Sequence, residues 1–310
     1  MQPANFAMNH SSPHSAPAIY ARVPNRSINV GGTYFAYRDL GPHGGVPLVL
    51  LNHWGASLDN FDPRVVDGLA IQRRVIAIDY RGIGASTGMA SDTVDAMARD
   101  TIAMIGALGL GQVDVLGFSL GGFVAQDMAL KAPNLVRKLI LTGTGPAGGQ
   151  DIDQVGPVSW PLMLKGLLTM RDPKHYLFFT STPNGRQAAS AFVSRLKERK
   201  TNRDKTVTPT AFLRQLKAIK SWGRQAPQDL GGIRIPVLVV NGDNDIMVPT
   251  PLSHDIARRI PGARLVIYED AGHGSIFQYH DNFVVRVLAF LAEDVRRHTS
   301  AVLGAEGLAK

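Results

Sequence analysis

A serine, a pair of acids and a histidine each follow a strand-like run in this chain, and together they have the types needed for nucleophilic catalysis. The stretch Val113-Asp114-Val115-Leu116-Gly117-Phe118-Ser119-Leu120-Gly121-Gly122-Phe123 reads as a buried strand, a G-x-S-x-G turn and the start of a helix. Holding a serine on so tight a turn forces unfavourable backbone angles and brings neighbouring segments close, so the residues beside it must be small. The turn projects the hydroxyl above the sheet edge, and the helix N-terminus behind it favours developing negative charge. The amide of Leu120 is the natural first oxyanion donor. Taken alone, G-x-S-x-G is also an ordinary turn; its flanking strand and helix favour a nucleophile.

A serine hydroxyl attacks poorly until a base takes its proton, and the base needs a third group to orient it. The order Ser, Asp, His is available downstream. Asp243 and Asp245 directly follow the run Ile235–Val240, and His273 stands in the Gly-lined loop Asp270-Ala271-Gly272-His273-Gly274-Ser275. From Ser119 to Asp245 is 126 residues and from there to His273 is 28. The first interval is long enough to hold an inserted unit.

The elements that would position these groups alternate. Strands are expected at Thr33–Tyr37, Leu48–Leu51, Arg74–Ile78, Val113–Leu116, Lys138–Leu141, Ile235–Val240 and Ala263–Tyr268. Helices are expected at Ser91–Leu108 with Asp92 as N-cap, Phe123–Lys131, Ser253–Arg259 and Phe283–Arg297. Such alternation predicts an α/β fold with a mostly parallel sheet flanked by helices. Between Gly149 and Gln228 the strand rhythm lapses into helix formers, Arg and Lys, which reads as a helical insertion. The expected organisation is an N-terminal arm over 1–25, a core of 26–148 and 229–310, and an inserted unit over 149–228.

Composition bounds the function classes. Of 310 residues, 45% are hydrophobic and 19% charged, enough apolar content to exclude whole-chain disorder. Cysteine is absent, which removes disulfide frameworks and thiolate nucleophiles and fits a cytoplasmic protein. No apolar run reaches the ~20 residues a spanning helix needs, so no membrane partner is expected. The net charge is +8. From Asp151 to Ala226 there are 14 basic and 5 acidic residues, so the excess sits in the insertion. The close-set Arg195, Lys197, Arg199 and Lys200 read as a solvated face, and no nucleic-acid motif accompanies them.

These residues resemble the α/β-hydrolase family from about Val30 to Leu291. The resemblance implies that Asp245, in G-x-x-D-x-[apolar]-x-P, is the catalytic acid, with Asp243 capping its loop, and that His273 in the Ala-Gly-His motif is the base. It makes the insertion a cap over the site. Where the family shows His-Gly-x-Pro after an early strand, this chain has Asn52-His53-Trp54-Gly55, making the Trp54 amide the second oxyanion donor. His53, Phe118, Trp160, Met163 and Phe178 are the candidate pocket residues. The turn Asp79-Tyr80-Arg81-Gly82-Ile83-Gly84-Ala85-Ser86 matches the family's D-x-R-G-x-G-x-S and reads as structural.

The function this implies is a serine hydrolase acting on a small ester or lactone, as a monomer or homodimer, with neither metal nor organic cofactor. A cofactor-free haloperoxidase (perhydrolase) or a carbon–carbon bond hydrolase on the same triad remains an alternative. So does a receptor that keeps the pocket for binding.

Overall fold

An antiparallel pair, β1 (Arg26–Val30) and β2 (Thr33–Leu40), opens the computed structural model, which describes residues 19–294. The sheet continues through β3 (Leu48–Leu51), β4 (Val75–Ile78), β5 (Val113–Phe118), β6 (Val136–Thr142), β7 (Val237–Gly242) and β8 (Arg264–Tyr268), in the spatial order 1-2-4-3-5-6-7-8. β2 runs antiparallel to β4, and every later pairing is parallel. Each residue of β3, β4, β5 and β7 is buried, as continuous apolar runs must be when helices cover both faces.

The helices outside the insertion are α1 (Pro63–Ala70), α2 (Val94–Ala107), α3 (Leu120–Lys131), α8 (Thr250–Arg259), α9 (Ser275–Gln278) and α10 (His280–Ala292). The insertion lies between β6 and β7 and contains α4 (Val155–Leu168), α5 (Lys174–Leu177), α6 (Pro183–Arg195) and α7 (Pro209–Arg224), with no strand among its described residues. The sheet and helices agree with the fold expected from the alternation.

Several local expectations change. Helix α2 starts at Val94 because Thr93, not Asp92, is the N-cap, its hydroxyl accepting from the Ala96 amide at 3.2 Å. Asp92 instead faces the insertion, 2.8 Å from the Lys217 ammonium and 3.4 Å from the Arg214 guanidinium. Of the expected loose arm, the described residues are fixed: Tyr20 is buried, and its hydroxyl donates to the Leu58 carbonyl at 2.7 Å. Residues 1–18 and 295–310 lie outside the described residues, and with them the end of the helix expected to reach Arg297.

The basic surplus of the insertion is not simply a solvated face. Arg195 forks onto Asp62, which also caps α1, at 2.6 Å. Arg199 is 5% exposed and donates to the Val23 carbonyl at 2.8 Å. Glu198 pairs in reverse with Arg64 at 2.7 Å. Cations of the insertion thus meet acids of the sheet domain, and the excess works as a clamp.

One acid–acid contact joins the same two parts. Asp79, at the end of β4, is fully buried beside Asp204 of the insertion; a Cβ placed on Gly84 would come within 2.2 Å of one carboxyl and 2.3 Å of the other. Burial, and then the hydrogen bond and charge of Asp204, push the Asp79 carboxyl well above the usual carboxylate range. A raised folded value means the protonated form stabilises the fold. That contribution is complete below the unfolded value, near 4, and is lost as pH rises through the folded one. Melting temperature is therefore expected to fall as pH rises through that window, and Asp79→Asn, which keeps a neutral hydrogen-bonding group, should flatten the fall. A variant with the wild-type slope in a pH series of thermal melts would show that Asp79 is not the group responsible.

Candidate active site

Ser119 sits between β5 and α3 with φ +56° and ψ −119°, angles that L residues avoid and that cost about 1–3 kcal/mol. The surroundings over-determine this conformation. The Ser119 amide donates to the Thr142 carbonyl at 2.9 Å, and its carbonyl accepts from the Gly122 amide at 2.8 Å and the Thr144 hydroxyl at 2.9 Å. A Cβ on Gly121 would lie 2.1 Å from the Leu51 carbonyl oxygen, and one on Gly117 would lie 2.3 Å from that of Gly121. The glycines of the motif are there because backbone passes where a side chain would be. Leu120, the first residue of α3, has no carbonyl one turn back within its own helix to bond its amide.

Past the end of β7, Asp245 is 6% exposed and divides its oxygens between two tasks. Oδ1 accepts from the amides of Met247 at 2.8 Å and Val248 at 3.0 Å, and Oδ2 lies 2.8 Å from His273 Nδ1. A carboxylate only accepts, so Nδ1 carries the proton and Nε2 keeps its lone pair. Asp243 instead accepts from the amides of Asp270 and Ala271 at 3.2 and 3.1 Å, tying its loop to the next one. The insertion fixes the histidine loop: the Gly274 amide donates to the Phe178 carbonyl at 2.7 Å, and the Phe178 ring stands edge-on to His273 at 5.3 Å.

Ser119 and His273 line one cavity of about 190 Å³, shared between the sheet domain and the insertion. No hydrogen bond joins the serine hydroxyl to the imidazole, and contacts of this kind commonly tighten in the complex with substrate.

The loop after β3 carries the departure at His53. Its Nδ1 donates to the Trp54 carbonyl at 2.8 Å, while Nε2 is buried without a partner. Burial, and next the charge of Lys174, push the imidazole down to about 3, so the ring is neutral at ordinary pH. Trp54 is held by α7: its indole donates to the Phe212 carbonyl at 2.8 Å and stacks on the Phe212 ring at 4.2 Å. Gly55 has φ +69°, which proline cannot adopt, so the departure from His-Gly-x-Pro reflects a different loop conformation.

Of the candidate pocket residues, His53, Met163 and Phe178 line the cavity, as does Trp54. Phe118 and Trp160 do not. Phe118 is 2% exposed and packs beneath the two imidazoles, with ring centroids 4.9 Å from His273 and 5.5 Å from His53. Trp160 is 43% exposed and meets Trp54 edge-on from outside at 6.2 Å. Sequence reasoning missed the ion pair Lys174–Asp172, at 3.3 Å, which supplies the charged part of the lining, and Phe212. The amphipathic run Pro209–Arg224 carried a signal for Phe212; the pair had none.

Residues 46–278 match a family model described as the alpha/beta hydrolase fold. A solved alpha/beta hydrolase fold protein from Chitinophaga pinensis is 38% identical, with TM-score 0.84, over 89% of this chain and 99% of its own. A pimeloyl-[acyl-carrier protein] methyl ester esterase of Nitrosomonas europaea is 29% identical over 77% of this chain and 93% of its length. A 2-hydroxy-6-oxononadienedioate/2-hydroxy-6-oxononatrienedioate hydrolase of Klebsiella pneumoniae is 30% identical over 77% of this chain and 82% of its length. The sheet order, the strained serine turn and a family match that spans most of the polymer agree: the chain belongs to the alpha/beta hydrolase fold family.

Proposed function

We propose that this protein is a serine hydrolase cleaving small carboxylic esters or lactones through an acyl-enzyme. The observation that carries the reading is that the strained Ser119 and the Asp245-bonded His273 share one small, largely apolar cavity. His273 Nε2 takes the hydroxyl proton as Ser119 Oγ attacks the carbonyl carbon. The amides of Leu120 and Trp54 receive the oxyanion, and each such donor is worth about 10²–10³ in rate. The tetrahedral intermediate collapses, His273 returns the proton to the departing alkoxide, and the acyl group stays on Ser119. Water, deprotonated by His273, then releases the acid and restores the serine.

Asp245 holds the ring in the tautomer that keeps Nε2 basic and stabilises the imidazolium that forms. The helical insertion serves as a cap, excluding water and limiting substrate size through Met163 and Phe178. The ester hydrolase among the relatives supports this reaction class. A second reading, hydrolysis of an oxo-dioate on the same groups, draws support from the Klebsiella pneumoniae relative and from Lys174, a cation in the lining that could meet a substrate carboxylate.

Ser119→Ala should lower kcat for p-nitrophenyl acetate by about 10⁴-fold or more with an unchanged melting temperature. A fluorophosphonate should label Ser119 alone by peptide mapping; wild-type turnover in the variant, or label elsewhere, would remove the nucleophile assignment. Asp245→Asn should cost about 10⁴ in kcat, and Asp243→Asn should leave kcat within about tenfold of wild type. The reverse order would transfer the acid's role to Asp243. Because His53 stays neutral until about pH 3, His53→Gln should leave the shape of the pH profile of kcat/KM unchanged above that pH while changing KM; a profile that loses a limb in the variant would make His53 a titrating group of the reaction.

A further inference from the structure

Helix α4 is apolar on two opposite faces, and only one of them is covered. Val155, Gly156, Ser159 and Gly166 are buried, and Val155 and Met163 reach the catalytic cavity. Trp160, Leu164, Leu167 and Leu168, spaced i, i+4, i+7 and i+8, form a stripe on the other side, with exposures of 43%, 56%, 74% and 76%. Met170, just past the helix, is 95% exposed and has φ +52°, a conformation more natural to glycine or asparagine. A contiguous apolar patch of this kind on a soluble fold marks a docking surface.

A second observation says what docks there. A groove of about 530 Å³, apart from the catalytic cavity, adjoins the helix and is lined by Lys165, Arg171, His175 and Arg186, with no acidic side chain among its described lining residues. Other cations of the insertion meet acids of the sheet domain, as at Arg195–Asp62 and Lys217–Asp92. Lys165, Arg171 and Arg186 instead line a groove without an acid, beside the apolar stripe. A second copy of the chain, meeting this face across a two-fold axis, would set Lys165 and Arg171 against themselves. An anionic bilayer complements both parts, with acyl chains for the stripe and phosphates for the cations.

We propose that this face docks the protein on anionic lipid surfaces, with Leu164, Leu167, Leu168 and Met170 at the headgroup–acyl boundary and Lys165, Arg171 and Arg186 on lipid phosphates. The absence of a spanning run bears on helices that cross a bilayer; one that lies in its surface needs only a stripe. Docking would leave the catalytic cavity about one helix diameter, ~10 Å, from the lipid. The proposal goes beyond the catalytic reading and holds whether or not Ser119 is the nucleophile.

The test is co-sedimentation of the full chain with sucrose-loaded vesicles of phosphatidylcholine alone or mixed equally with phosphatidylglycerol. Binding to the mixed vesicles should be at least about tenfold tighter and should weaken at high salt. The double variant Leu167→Asp, Leu168→Asp should lose binding to both vesicle types by about tenfold or more, and Arg171→Glu should lose severalfold of the anionic preference. Neither change touches the catalytic cavity, so p-nitrophenyl acetate turnover serves as the check that the variants fold. Equal weak binding to the two vesicle types, or variants that bind like wild type, would overturn the proposal. A concentration-dependent dimer in light scattering that the double variant dissolves would also overturn it and assign the face to a second copy.

Discussion

One backbone crossing governs the catalytic half of this molecule: the turn at Ser119 passes so close to β3 and to the start of α3 that only glycine fits at positions 117 and 121. The strain at Ser119 persists because the Thr142 carbonyl, the Thr144 hydroxyl and the Gly122 amide all bond its backbone. Relaxing the turn would mean breaking buried hydrogen bonds, each worth about 0.5–1.5 kcal/mol when made and more when left unsatisfied. The same crossing brings the loop after β3 to within a van der Waals contact of α3. The two amides proposed to receive the oxyanion are therefore set by one constraint and cannot drift independently.

The second half of the site depends on how the insertion is held. Phe178 reaches the histidine loop through its carbonyl and its ring, and α7 holds Trp54 through the Phe212 carbonyl and Gly55 through the Gln215 side chain at 2.9 Å. These contacts work only if the insertion is docked, and the docking combines buried aromatic stacking, as at Phe123–Trp222 and Phe192–Phe277, with ion pairs. Arg195–Asp62 is nearly desolvated, so separating it would strand a charge at a cost of about 3–5 kcal/mol. The more exposed Lys217–Asp92 and Arg64–Glu198 pairs contribute less.

The strand–turn–helix at Ser119 and the loops of Asp245 and His273 were legible in the sequence because their constraints are local. Glycine at a close approach, an acid after a buried strand and a histidine between glycines each leave a mark within a few residues. Strand β1 left a faint one: in Arg-Ser-Ile-Asn-Val only Ile28-Asn29-Val30 alternate, too short a run to stand out, and the strand pairs with the edge that β2 offers. Helix α1 went unseen although Asp62 before Pro63 is a good start signal, since it is only eight residues long. Phe118 and Trp160 lie outside the cavity lining, Phe118 packed beneath the imidazoles and Trp160 partly exposed, because periodicity does not say which aromatic of a segment turns to the site. The charge clamp was invisible for a similar reason. A basic run reads as solvated until the acids it meets, more than a hundred positions away in sequence, are brought beside it.

His53 shows how the cavity keeps its electrostatics simple. In the proposed reaction His273 becomes an imidazolium, and a second imidazolium beside it would oppose that charge at short range. Where the family has glycine, this chain has an imidazole, and burial and then the charge of Lys174 hold that ring neutral, against the opposing pull of its donor bond to the Trp54 carbonyl. Lys174 is itself paired with Asp172 at 3.3 Å, on the same lining. In the proposed reaction the charge that changes is confined to the Asp245–His273 pair, while Lys165, Arg171 and Arg186 line a separate groove on the face proposed to meet lipid.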